Sequence, residues 1–406
     1  AWSQMSHWYG GFGHQEIHAD QHTIVYKPGS STNVIFGNDG GVAYTSNASA
    51  GTPNINHRNS GYNVTQYYAG AIHPTAGTNY FLAGAQDNGT QKYTSAGMNS
   101  TTEATGGDGG FCFIDQTNPQ YQFTSYVYNS WRRSTNSGNN FSSIQNDQTT
   151  GRFINPGDYD DIQDVLYSAR SNSTIQRITS ATGTPNISNF SLSMGSQASH
   201  LSVSPYTTTT TTLYVGTGGG RVFKIINAEG AANSTEITGA SFPTGEVSCI
   251  ALGQSENEIL VTFSNFGVTS VWYTANGGGT WVSKEGDLPD MPVRWALFNP
   301  NNYDEILLAT EVGVWGTAAL SDGSPSWSAS SSGLANVRVD MLQMRTSDNE
   351  VIAATFGRGL FSSNGFNGAA VFTANFSADN LTPNTLQTVS FNDLTNLTPN
   401  SWTWTF

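Results

Sequence analysis

The sequence predicts an all-β fold, a β-propeller of about seven to eight four-stranded blades, and three observations carry that prediction. A unit recurs about every 40–50 residues, the spacing of propeller blades, along the 406 residues of the chain. No segment sustains the 3.6-residue apolar period of an amphipathic helix. Charged residues are only 11% and aromatics 12%, with 44 glycines, which suits short strands joined by tight polar turns and argues against disorder.

The units follow one another in order. They run over residues 18–60 (TIVYKP, NVIFGNDGG, VAYTS), 66–105 (YYAGAIHP, YFLAGAQDNG, TQKYTS), 110–148 (FCFIDQTNP, YQFTSYVYN), 150–194 (DVLYSAR, TIQRIT) and 198–242 (HLSVSP, TLYVGTGGG, RVFKII). They continue over 246–290 (EVSCIAL, EILVTFSNFG), 292–335 (VRWALFNP, EILLATEVG) and 337–362 (VRVDMLQM, EVIAATFGRG, LFSS). Four short strands cannot bury both faces alone, so the units are expected to pack around an axis. The last unit lacks a fourth strand, and residues 1–10 are expected to supply it.

Net charge is −14. Such a chain lacks the basic footprint that a phosphate backbone requires, so nucleic acid is not expected as a partner. No stretch reaches the length of a membrane span, so no membrane insertion is expected. Cys112 and Cys249 each sit in an apolar strand pattern and are expected as buried free thiols, although a bridge is open from sequence alone. No cofactor motif is present: Gly216–Arg221 (GTGGGR) lacks the Lys-Ser/Thr and helix of a phosphate loop.

Two turns share a pattern. Thr274, Asn276, Gly278 and Trp281 fit the Asp-box, Ser/Thr-x-Asp/Asn-x-Gly-x-Thr-Trp, and Ser134, Asn136, Gly138 and Phe141 form a looser copy. The physics is that of a hairpin: the Asn side chain accepts backbone N–H groups, the Gly takes positive φ, and the aromatic packs between blades. These residues are read as structural.

With HADQH (18–22), FGNDGGVAY (36–44), AGAQDNGT (83–90), GGDGGF (106–111) and AATFGRGLF (353–361), the chain resembles the Asp-box propellers related to sortilin-type domains and to xyloglucan and oligoxyloglucan hydrolases. The likeness spans residues 1–362. Ala1-Trp2 resembles the tail of an Asp-box, which implies further blades upstream in a longer chain. Residues 363–370 read as a linker. Residues 371–406, ending Ser401-Trp402-Thr403-Trp404-Thr405-Phe406, resemble the opening of a PKD-type β-sandwich. The architecture resembles proteins secreted through a type IX system, implying a secreted or cell-surface location and further domains of the same chain.

Ligands of propellers meet the face formed by the turns between second and third strands and the loops between blades. Candidate binding residues there are His18, Asp20, His22, Gln86, Asn88 and Arg358. His18, Asp20 and His22 alternate along an extended segment and so share one side. Two His and a carboxylate could hold a metal ion, fix a blade junction by hydrogen bonds, or touch substrate. Asp39, Asp87 and Asp108 are candidate catalytic carboxylates, since glycoside hydrolysis needs two. The resemblance puts Asp39 at the position of the xyloglucan hydrolases' Asp-x-Gly-Gly base; Asp160 and Asp161 are candidates for the acid. The alternative is that these Asp residues only shape tight turns.

Sialidase chemistry lacks its Arg-Ile-Pro strand, and the arginines lie scattered in sequence. Gly-x-Ser-x-Gly and His-Glu-x-x-His motifs are absent. Tyr67, Tyr68 and Trp131 are read as rim aromatics or inter-blade packing. The expected function is a module that binds a polysaccharide or a cell-surface protein, with a xyloglucanase-like glycoside hydrolase as the alternative.

Overall fold

A computed structural model of the chain describes residues 3–364 apart from 99, 100 and 331, and beyond them 366, 376–378, 385 and 389–393. Every regular element among these residues is a strand. Eight sheets follow the eight sequence units, each an up-and-down antiparallel meander; seven have four strands and the last, 339–363, has three.

Seven of these sheets close a β-propeller. Blade 1 (69–105), blade 2 (112–147), blade 3 (157–191), blade 4 (198–236), blade 5 (247–283), blade 6 (293–329) and blade 7 (339–363) pack in that order, and the inner strand Val339–Arg345 returns to Ala69–Ile72. Each of the seven junctions has its own apolar cluster. Ala71, Leu82, Cys112 and Ile114 join blades 1 and 2, and Phe123, Trp131, Tyr159 and Leu166 join blades 2 and 3. The seam between blades 7 and 1 is filled by Tyr67, Ala69, Met341 and Ala354. Blades 1 and 2 also meet backbone to backbone: a Cβ on Gly84 would lie 1.9 Å from the Gly110 carbonyl oxygen, so only glycine fits there.

The first sheet, 21–57, stands outside the ring. Its apolar cluster, Ile17, Val34, Phe36 and Ala43 with Met5, Ala48 and Ile55, contains nothing from another sheet. All six residues of its strand Gln21–Tyr26 are exposed.

The expected fourth strand of the last unit is not residues 1–10. Among the described residues of that segment, His7 pairs with Glu16. Ring closure instead uses the chain entering blade 1. Gln66 bridges Phe356, and the Tyr67 N–H donates to the Thr355 carbonyl at 2.9 Å. Arg345, fully buried, reaches across to the carbonyls of His73 and Thr78 at 3.2 and 3.0 Å while holding Asp348 and Glu350.

Cys112 and Cys249 are free and buried, and burial pushes both thiols up to about 12. Phe366, within the expected linker, is buried between blades 6 and 7. Of the expected sandwich, Phe376–Ala378 pairs antiparallel with Phe391–Asp393; the Trp402–Phe406 strand lies outside the described residues.

Candidate functional site: an acidic junction beside the propeller axis

The inner strands carry a repeated irregularity that shapes one end of the axis. In blades 4, 5, 6 and 7 the pairing of first and second strands skips one residue near the start: Ser199, Ser248, Arg294 and Asp340 respectively. A bulge of this kind re-aims a side chain. All four residues line one cavity of about 170 Å³ at this mouth of the axis, with Tyr68, Arg152, His200, Glu246, Trp295 and Arg338 among its other walls. The first sheet skips the equivalent residue, His22.

Deeper along the axis a second cavity of about 510 Å³ is lined largely by apolar side chains, including Phe113, Leu201, Phe298 and Met341, with Asp158 among them. His200 and Trp295 line both cavities, their rings edge to face at 4.9 Å. Burial drives the His200 ring down to about 3, so it is neutral. Burial pushes Asp158 up to about 7, against hydrogen bonds from the Val203 and Tyr159 N–H groups.

Most of the candidate residues gather where the first sheet meets blade 1. The turn Gln86–Asn88 places Asp87 at φ 59°, a left-handed conformation that Asp tolerates. The Asp87 N–H donates to Asp108 Oδ1 at 3.0 Å. Asn88 Nδ2 donates to the Asp39 carbonyl at 3.2 Å, and His22 bonds the Asp39 carboxylate. Asn59 holds the Asp39 turn in shape, accepting from the Val42 N–H and donating to the Gly40 carbonyl, both at 2.8 Å.

His18, Asp20 and His22 do not converge as a triad. Asp20 takes φ 55° and breaks the extended run on which the shared side depends. The ring of His18 faces two carbonyls, Asp87 at 2.9 Å and Ala19 at 3.1 Å. A carbonyl can only accept, so this pair of contacts favours the charged ring with both N–H groups in place. Burial opposes that charge, but these bonds and the Asp87 and Asp39 carboxylates outweigh it and leave His18 raised.

What does converge is a set of carboxylates. One oxygen each from Asp20, Asp39 and Asp87 lies within 4.8 Å of the others, a spacing that suits a hard divalent cation or a cluster of hydroxyl donors. Partial burial first, then the charges of Asp108, Asp39 and Asp20, raise Asp87 above the usual carboxylate range, with His18 opposing. Arg358 stays apart from this group: its guanidinium folds back to the Gly357 carbonyl, and its own carbonyl accepts from Asn63.

Asp160 and Asp161 lie in the turn between the first and second strands of blade 3, at the other end of the axis. Asp160 is buried and accepts from the Ile162 and Gln163 N–H groups and the Thr211 hydroxyl, a turn-shaping role. Trp131 and Tyr67 are buried inter-blade core and not rim. Tyr68 does reach the mouth; its hydroxyl donates to Gln86 at 2.8 Å, linking mouth and junction.

The two patterned turns have the same wiring. Gly138 N–H donates to Ser134 Oγ at 2.9 Å and Gly278 N–H to Thr274 Oγ1 at 3.1 Å. Asn136 and Asn276 accept from the N–H four residues on, at 3.0 and 2.8 Å. Trp281 donates its indole N–H to the Ile237 carbonyl at 2.8 Å, and Trp327 does the same to Lys284 at 3.0 Å, a role hidden in the sequence by a longer turn. Phe141 packs at the junction of blades 1 and 2.

Arginines scattered in sequence meet at the mouth: Arg152, Arg294 and Arg338 all line it. Sequence reading missed this group because only ring closure brings residues 152, 294 and 338 together.

No family model and no curated protein matches the chain. Among solved structures it is similar to a GH74 xyloglucanase from Xanthomonas campestris, with TM-score 0.56 and 12% identity over 75% of this chain. The match covers 52% of that enzyme, so this chain spans about half its length. At that identity the likeness shows the fold, a β-propeller.

Proposed function

We propose that the chain is a glycan-binding propeller module whose contact surface is the junction of Asp20, Asp39, Asp87 and Asp108 with Asn88, Gln86 and Tyr68. The observation that carries this reading is the convergence of three carboxylates within 4.8 Å of one another on a face that also presents amide and phenol groups. Crowded carboxylates repel unless donors lie between them, and sugar hydroxyls are such donors. The xyloglucanase likeness adds a fold that acts on a polysaccharide elsewhere. On this reading the patterned turns are Asp-boxes, residues 371–406 open a PKD-type sandwich, and the protein works at the cell surface or beyond it, as part of a longer chain.

A second reading has its own observation. Burial and the neighbouring carboxylates raise Asp87, the direction a proton-giving carboxyl needs, and the Asp39 carboxylate sits beside it. Their spacing is shorter than the roughly 6.5–9.5 Å of inverting glycosidases and nearer the roughly 5 Å of retaining ones.

Retardation in gels containing xyloglucan or mixed-linkage β-glucan, run with a reducing-end assay, separates the two. The binding reading expects retardation that weakens at least tenfold in Asp39→Asn and Asp87→Asn, with no new reducing ends. Reducing ends that vanish in Asp39→Asn would establish the hydrolase instead. Unretarded wild-type protein on every glycan would sink both.

A further inference from the structure

We infer that the axial mouth is a second ligand site, one that takes a single small carboxylate-bearing sugar of the uronate class. This inference stands on the mouth alone and goes beyond the Asp39–Asp87 reading.

The first support is construction. Four successive blades skip a residue at the same place, and the skipped Ser199, Ser248, Arg294 and Asp340 all face one cavity. Two of them also tie the ring. Ser199 Oγ donates to the Val247 carbonyl at 2.6 Å and Ser248 Oγ to the Val293 carbonyl at 2.5 Å, each the first residue of the next inner strand. The other two are charged. Gly218 packs close to this group: a Cβ there would lie 2.8 Å from Arg152 Nη2.

The second support is charge. In a chain of net charge −14 with fifteen basic residues, three arginines line a cavity of about 170 Å³ against two carboxylates, Glu246 and Asp340. Arg152 pairs with Glu246 at 3.0 Å, and Arg338 forks onto Asp340 Oδ1 at 2.8 and 2.7 Å. Arg294 forks onto Glu311 at 3.1 and 2.7 Å. Nη1 of Arg294 lies 3.8 Å from Asp340 Oδ1, an ion pair longer than a hydrogen bond, and the Arg338 guanidinium lies over the Phe356 ring at 4.7 Å, so each fork is held on one side and still has a donor to give. Guanidinium donors held in place by carboxylates on one side recognise a carboxylate on the other.

The third support is an orphan acceptor. Asp340 has a side chain only 10% exposed, and its Oδ2 is buried with no hydrogen-bond partner. Leaving a buried carboxylate oxygen unpaired is costly, and since Asp340 lines the cavity, a turn of its side chain that brings Oδ2 to the cavity would let a ligand hydroxyl satisfy it. Arginine nitrogens for a carboxylate, a carboxylate oxygen for a hydroxyl, and Trp295 and Tyr68 as flat walls together describe a hydroxylated carboxylate ring. The volume is below that of a drug-sized pocket, so one sugar unit enters and not a chain.

Calorimetric titration of the intact chain with galacturonate, glucuronate, galactose and acetate tests this. The inference expects a uronate to bind at least tenfold more tightly than galactose, which lacks the carboxylate, and than acetate, which lacks the hydroxyls. Arg338→Gln should weaken uronate at least tenfold, and Arg338→Lys should recover only part of it, since a point charge replaces a fork. Should Arg338→Gln misfold, Ser264→Leu, which fills the mouth from an inter-strand turn, gives the same loss. Equal binding of galactose, equal binding of acetate, or full uronate affinity in both Arg338→Gln and Ser264→Leu would overturn the inference, as would no uronate binding at all. The Asp39→Asn variant should leave uronate affinity unchanged, which keeps this test apart from that of the junction.

Discussion

The ring and the first sheet are built from the same sequence unit yet are held in different ways. Each ring blade is packed between two neighbours, and all seven seams carry apolar clusters such as Val165–Val215 or Cys249–Leu308. Among the described residues, the apolar packing of the first sheet is with its own leading segment and turns, through Met5, Ile17, Ala48 and Ile55. It reaches the ring through polar contacts, His18 to Asp87 and Asn88 to Asp39. Its outer strands leave Ile24, Val25, Tyr26 and Ile35 at 46–57% exposure over its two faces. A blade's stability therefore comes from its neighbours as much as from its own strands, and the polar seam is where the acidic junction lies.

Opening the ring should have the largest effect. Arg345→Ala removes a fully buried guanidinium that ties blade 7 to the carbonyls of His73 and Thr78 and strands Glu350 and Asp348. A loss of about 3–5 kcal/mol is expected in urea unfolding, with hydrogen exchange rising first in 69–72 and 339–345. Comparable losses confined to the first sheet would mean the comparison is wrong.

Asp158 tests the interior of the ring. Its folded pKa near 7 lies above the ordinary 3.8. Between those values the folded chain binds a proton that the unfolded chain does not, so stability falls as pH rises through that window. Asp158→Asn lacks this loss. It should be roughly 1–3 kcal/mol more stable than wild type at pH 8 and lose that advantage below about pH 4, measured as chemical denaturation at each pH.

The seam responds in the same sense and more weakly. His18 is raised above 6.5, so its stabilisation is complete below that value and fades as pH climbs through the folded pKa. Protection of amides in 34–45 should drop from pH 5.5 to pH 8.5 in wild type and stay flat in His18→Gln. An equal drop in that variant would remove His18 from the seam. Smallest of all, Val25→Thr on the open face, opposite Ile35, should change stability by less than about 0.5 kcal/mol, against several for an inter-blade residue such as Phe263.

The units, their strands and the Thr274–Trp281 turn were legible because they are local: alternation and turn residues act over a few positions. The standing of the first unit was not, since TIVYKP and NVIFGNDGG read like any inner pair while its isolation depends on the long-range return of Val339–Arg345 to Ala69–Ile72. Likewise Asp39 and Asp87 were singled out by their turns, but their meeting with Asp20 depends on how two sheets join. The bulged positions left no trace, because a skipped residue changes register and not composition. Trp327 was hidden because its turn is longer than the pattern.

The skipped residue in each inner strand has a consequence for how such a wheel could be retuned. Because it stands aside from the paired ladder, its identity can be exchanged without breaking the backbone ladder of the spoke, although a serine there gives up its tie to the next one. Serine, arginine and aspartate already occupy equivalent sockets, so the chemistry facing the hub can be rewritten one spoke at a time.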